Sequence, residues 1–116
     1  MSDYNKKLED LLDHQLISND QLQKKKELGG IGYLINGNMC LGIYDNFLVA
    51  RIGKYLAQSL IDRPGIKPYT SDNDGFDDFI LVAEQIYEHP KALRKFIDQS
   101  IKYTSGLSEK KNQNKV

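Results

Sequence analysis

The sequence predicts an α+β domain of two layers: an antiparallel sheet built on a three-stranded meander, with helices packed on it. Three observations carry that prediction. Two short turn signals, Asn36-Gly37 and Asp45-Asn46, sit close together; the runs around them alternate with a period of two; and leucine and isoleucine recur at helical spacing near both ends of the chain.

The meander spans Glu27 to Ile52. Its first strand is Gly30 to Ile35, followed by Asn36-Gly37, the pair that best tolerates the two positive φ angles of a type I′ turn. A second strand runs from Met39 to Tyr44. Asp45-Asn46 is expected to make a turn of the same chemistry and to deliver a third strand, Phe47 to Ile52. Alternation assigns Ile31, Tyr33, Ile35, Met39, Leu41, Ile43, Leu48, Ala50 and Ile52 to one face, the expected core set. The other face is mixed, with Leu34, Cys40, Tyr44, Phe47, Val49 and Arg51, so alternation leaves open which face the helices cover. Glycines at 29, 30, 32 and 42 point to a bulged first strand or to a close backbone approach.

Ahead of the meander, Tyr4, Leu8, Leu11 and Leu12 predict a short amphipathic helix from Asp3 to about His14, capped by Ser2 or Asp3. Residues 16–26 read as loop, with Gln21 to Lys26 polar and basic. Beyond the meander, Lys54 to Asp62 reads as a two-turn helix stopped by Arg63-Pro64-Gly65. Pro68 confines Ile66 to Tyr69 to an extended edge segment, because proline cannot donate to a central ladder. Ser71 to Asp78 is a turn-rich acidic loop. Phe79 to Ala83 is a strand expected to extend toward Tyr87, and His89-Pro90 opens a last helix through Leu93, Phe96, Ile97 and Ile101, with Gly106 as its C-terminal cap. These elements fill one domain, residues 1–107; the polar tail 108–116 is expected to be disordered.

At 116 residues the chain can bury a core without staples. Its single cysteine, Cys40, forms no internal disulfide and suits a reducing compartment. No run approaches the roughly 18 apolar residues of a membrane span, so the expectation is a cytoplasmic protein with no membrane contact. Formal net charge is zero, yet the charges are segregated: residues 21–68 carry 7 basic against 3 acidic groups, residues 69–90 carry 6 acidic and no basic ones, and residues 91–116 carry 7 basic against 2 acidic. That segregation makes Lys24, Lys25, Lys26, Arg51 and Lys67 the candidate interaction residues.

Chemistry is sparse. Asp72-Asn73-Asp74-Gly75 suggests a calcium loop, but aligned on Gly75 the first ligand position is Thr70 and the bidentate position is Leu81, so no metal is expected there. His14 and His89 have no partner at metal-ligand spacing. Cys40, Ser59 and Ser71 lack the base and orienting group that nucleophilic catalysis needs. No cofactor or catalytic residue is expected. Arg51, set among Leu48, Val49, Ala50 and Ile52, must pair with a carboxylate, reach out to water or meet a ligand.

Several segments taken together resemble the N-terminal domain of the TfoX/Sxy family: Lys25 to Tyr33 with its Gly29-Gly30, Asn36-Gly37-Asn38-Met39, Arg51-Ile52-Gly53 and Pro64-Gly65-Ile66-Lys67-Pro68. The resemblance runs from about residue 5 to 107. It departs from the family pattern at Glu27-Leu28, where the family carries Met-Phe, and at Asp74 to Phe79, where a basic or neutral loop has become acidic. The resemblance implies an α-β3-α-β2-α fold of the secretion-chaperone-like kind and a stand-alone relative of competence regulators that act with a transcription activator. It therefore implies a non-enzymatic regulatory module with a protein partner. The charge pattern keeps direct nucleic-acid binding as the alternative, and the edge near Pro68 is one that could support a homodimer.

Overall fold

The computed structural model describes residues 4–27, 30–69 and 76–109. One open six-stranded sheet dominates: β1 (Leu22–Glu27), β2 (Gly30–Ile35), β3 (Asn38–Tyr44), β4 (Phe47–Arg51), β5 (Ile66–Pro68) and β6 (Phe79–Val82), in spatial order β1-β2-β3-β4-β6-β5 with every pairing antiparallel. Four helices, α1 (Lys6–Leu16), α2 (Lys54–Leu60), α3 (Glu84–Tyr87) and α4 (Pro90–Ser105), join it in a two-layer α+β architecture.

The expected meander is β2-β3-β4, with a fourth strand added at its edge. Gln21 to Lys26 was expected as loop; most of it is β1, paired over its whole length with β2 from Leu22↔Ile35 to Glu27↔Gly30. Three consecutive lysines carry no periodic apolar signal, and an edge strand needs none, because charge on an edge discourages pairing with another chain.

Asn36 and Gly37 take the two positive φ angles, 51° and 81°, that a type I′ turn demands. The second turn differs. Asp45 alone is positive, at φ 56°, which rules out type I′. Here tertiary contacts hold the loop: Asn5 N donates to Asp45 O, and Tyr87 Oη donates to Asn46 O.

Facing residues in the central strands make the core. Ile31 opposes Ile43, Tyr33 opposes Leu41, and Leu41 opposes Ala50, which opposes Ile80. All are buried, and they pack with Leu8, Leu12 and Leu16 of α1, Ala57 of α2, Tyr87 of α3 and Leu93 and Ile97 of α4. Met39 departs from the expected set because the register shifts between Tyr33 and Leu34: Leu41 faces Tyr33 but Met39 faces Leu34, leaving Cys40 as the extra residue of a bulge on β3, not on the first strand. The shift reverses the alternation, so Cys40 enters the core and Met39 lies half-buried over Gly42 and Gly32 on the far face.

The glycines mark close approaches. A Cβ on Gly42 would meet the Met39 Cε and lie 2.8 Å from Ile31 O; one on Gly30 would run into Ile43 O.

Termini of the helices also shift. Asn5, not Ser2 or Asp3, caps α1, its side chain accepting from Leu8 N at 3.0 Å; residues 1–3 lie outside the described part. The strand expected to run toward Tyr87 ends at Val82, where Ala83 N bonds to Gly65 O at 2.8 Å and α3 begins. Gly106 caps α4 as expected, but with φ −86°, so the cap is not left-handed. From residue 110 the tail is outside the described residues, as is 70–75 of the acidic loop.

Candidate interaction surfaces

The sheet separates the basic residues that lie together in sequence. Lys24 opposes Tyr33 and so faces α1, where its Nζ sits 2.6 Å from Glu9 Oε2 and 2.8 Å from Asp13 Oδ2. Glu9 also accepts from Lys6 Nζ and from Tyr4 Oη, each at 3.1 Å, and Tyr33 Oη donates to Asp13 at 2.8 Å. Hydrogen bonding from Lys24 is the largest cause holding the Glu9 carboxyl down, to about 2, with burial working against it. Burial, helped by Asp13, raises the Tyr33 phenol well above its ordinary value.

Lys25, one residue along, opposes Gly32 on the other face, and Lys26 returns to the α1 side. Lys67 shares the face and the cross-strand row of Lys25: Lys25, Gly32, Gly42, Val49, Leu81 and Lys67 stand opposite one another across all six strands. Five inter-strand steps put Lys25 and Lys67 about 24 Å apart, at opposite edges. Lys67 Nζ lies 5.2 Å from the centroid of the Phe47 ring.

Arg51 is pinned. Its Nε donates to Asp78 Oδ2 at 2.8 Å, its guanidinium carbon lies 4.9 Å from the centroid of the Phe79 ring, and its Nη1 reaches Met39 O at 3.4 Å. Asp78 is the hub of this corner. The same carboxylate oxygen accepts from Tyr103 Oη at 3.1 Å, and its backbone oxygen accepts from Ile52 N at 2.9 Å and Gly53 N at 3.2 Å. Arg51-Ile52-Gly53 is thus a motif whose members all bind Asp78, with Gly53 at φ 97°, which favours glycine. Asp78 looked like one more acid in a solvated loop, and only a buried neighbour across the chain could have marked it.

Among the described residues, an aromatic cluster and a groove lie outside the main core cluster. On the helix-free face, Tyr69, Phe76 and Phe79 form a ring cluster with centroids 5.1 to 5.7 Å apart, joined by half-exposed Tyr44 at 6.4 Å from Tyr69. On the helical side, a groove of about 640 Å³ opens between α2, α3 and α4; its apolar lining is Leu56, Leu60, Pro64, Ile66, Ile86 and Phe96, and Arg63, Lys95 and Gln99 complete it. Sequence reasoning missed this groove, because its walls come from four separate segments.

Cys40 is fully buried, and burial pushes its thiol up to about 12, with the Thr104 hydroxyl and Arg51 opposing weakly. No group of three or more His, Cys, Asp or Glu side chains could hold a metal among the described residues. No described helix is long and apolar enough to cross a membrane.

An open sheet with its helices on one face defines a small two-layer α+β domain. The family model of the TfoX N-terminal domain matches residues 14–103, and the chain belongs to that family. The family is of a regulatory type and is associated with competence regulation. No curated protein and no solved structure matches the chain.

Proposed function

We propose that this protein is a non-enzymatic regulatory module that works in the cytoplasm by binding another protein, in transcriptional co-regulation of the kind associated with competence. Family membership is the observation that carries the reading. The buried, neutral Cys40 thiol and the apolar groove between α2, α3 and α4 support it. A transcription activator is the class of partner the family association favours, and the reading needs no cofactor.

Affinity capture from native lysate, with and without nuclease and read by mass spectrometry, tests this. The expected result is a partner that survives nuclease, such as a transcription activator or a polymerase subunit. A turnover activity abolished by one point mutation would overturn it.

Direct nucleic-acid binding is the alternative, and partners lost with nuclease would favour it. It has fewer cations to draw on than the sequence suggested, since Lys24 and Arg51 are already engaged by carboxylates and Lys25 and Lys67 stand at opposite edges. It requires binding that falls steeply with salt, measurable by mobility shift with duplex and single strands. A homodimer belongs with these proposals, and sedimentation velocity measures it.

A further inference from the structure

We propose that the groove between α2, α3 and α4 is the docking site for an acidic amphipathic helix of another protein. This rests on the protein-interaction reading above and assigns it a surface and a partner chemistry.

The floor is apolar: Leu56 and Leu60 from α2, Ile86 from α3 and Phe96 from α4, closed below by Ile66 of β5. All four helical side chains are only half-buried, so each keeps apolar surface that an occupant would remove from water. Its charged members are cations, Arg63 and Lys95, both exposed and neither in an ion pair among the described residues.

Chemistry narrows the occupant. A small polar ligand is disfavoured because the lining brings no buried polar side chain to fix its orientation. A strand is disfavoured because β5, the adjacent edge, is three residues long and ends in Pro68, which has no N–H to offer. The segments of the given sequence outside the described residues do not serve: residues 1–3 and 28–29 are too short to fill a groove of this size, Thr70 to Gly75 has no apolar side chain larger than a threonine methyl, and Lys110 to Val116 repeats the positive charge of the groove. A second copy does not fit either. The large apolar side chains exposed among the described residues are Ile17, Tyr44 and Tyr55, and no described helix presents them as an apolar stripe. A foreign helix with apolar residues at i, i+3, i+4 and i+7 and carboxylates along its flanks satisfies both floor and rim.

The probes are two synthetic amphipathic peptides with the same leucine stripe, one flanked by glutamates and one by lysines, titrated into the 15N-labelled full chain. Amide shifts are expected at Leu60, Ile66, Ile86 and Phe96, with the glutamate peptide binding at least about tenfold more tightly than the lysine peptide. Arg63→Glu with Lys95→Glu should reverse that order while leaving the thermal midpoint nearly unchanged, since both side chains are exposed. No shift at the groove with millimolar peptide, equal affinity for both peptides, or shifts confined to the helix-free face would overturn the proposal. Groove shifts that appear on concentrating the chain alone would overturn it in favour of a second copy. A nuclease-resistant partner captured equally by the wild type and the double variant would remove the groove while leaving the interaction module intact.

Discussion

Replacing Glu9 by Gln removes one of the two carboxylate charges that hold Lys24 against α1, and the structure sets the size and the pH dependence of the effect. The Glu9 carboxyl lies at about 2 in the folded protein against 4.5 ordinarily, chiefly through the hydrogen bond from Lys24. Taken at face value, that depression is worth about 3.4 kcal/mol of stability. Glu9 itself is 6% exposed, but the side chains of its partners Lys24 and Lys6 are 36% and 59% exposed, so screening brings the expected cost of Glu9→Gln to about 1–2 kcal/mol at neutral pH. A carboxyl depressed on folding stabilises at pH values above its unfolded value, and this contribution is lost as pH falls through the folded one. The window is therefore from 4.5 down to about 2, and by linkage about three-fifths of the contribution is gone by pH 3. Urea denaturation of wild type and variant at pH 7, 5, 4 and 3 measures it. Lys24→Met should also cost less in the Glu9→Gln background than alone. A stability difference that stays constant from pH 7 to pH 3, or a strictly additive double variant, would refute the assignment of Lys24 to an internal pair.

Asp78→Ala leaves the Arg51 guanidinium, largely withdrawn from water, without its carboxylate and should cost about 2–4 kcal/mol by denaturant titration; an effect under about 0.5 would mean the corner is solvated. Gly42→Ala forces a Cβ against Ile31 O and the Met39 side chain and should lower stability by about 1–3 kcal/mol, seen as a lower thermal midpoint. Ser100→Ala should be neutral or stabilising by up to about 1 kcal/mol, because the Ser100 hydroxyl is fully buried with no hydrogen-bond partner among the described residues and alanine is the better helix former. Cys40 should react with a thiol reagent at pH 8 at least about 100-fold more slowly in the native protein than in denaturant; rapid native labelling would contradict its burial.

Local chemistry determined much of this protein by itself. Asn36-Gly37 tolerates two positive φ angles, so the turn of the first hairpin was legible; Pro90 preset the first turn of α4, and the spacing of Leu93 and Ile97 gave its buried stripe. The family resemblance was legible for the same reason, since its glycine, proline and Asn-Gly positions are punctuation that a backbone reads locally.

What needed the tertiary structure were features that depend on partners distant in sequence. β1 exists because β2 offers it an edge, and its lysines give no periodic signal of their own. The bulge at Cys40 reversed the phase of alternation, which placed Met39 on the helix-free face, and no single-strand pattern carries that information. The candidate basic residues divide between two faces and two edges because side chains alternate along a strand while pairing fixes which strands lie far apart. Asp78 became a buried hub when Arg51 and Tyr103 closed on it from 27 and 25 residues away, and the groove arose where α2, α3, α4 and β5 meet. Turns and helix stripes are fixed by the energies of neighbouring residues; ion pairs, faces and grooves are fixed by which surfaces the packed sheet brings together.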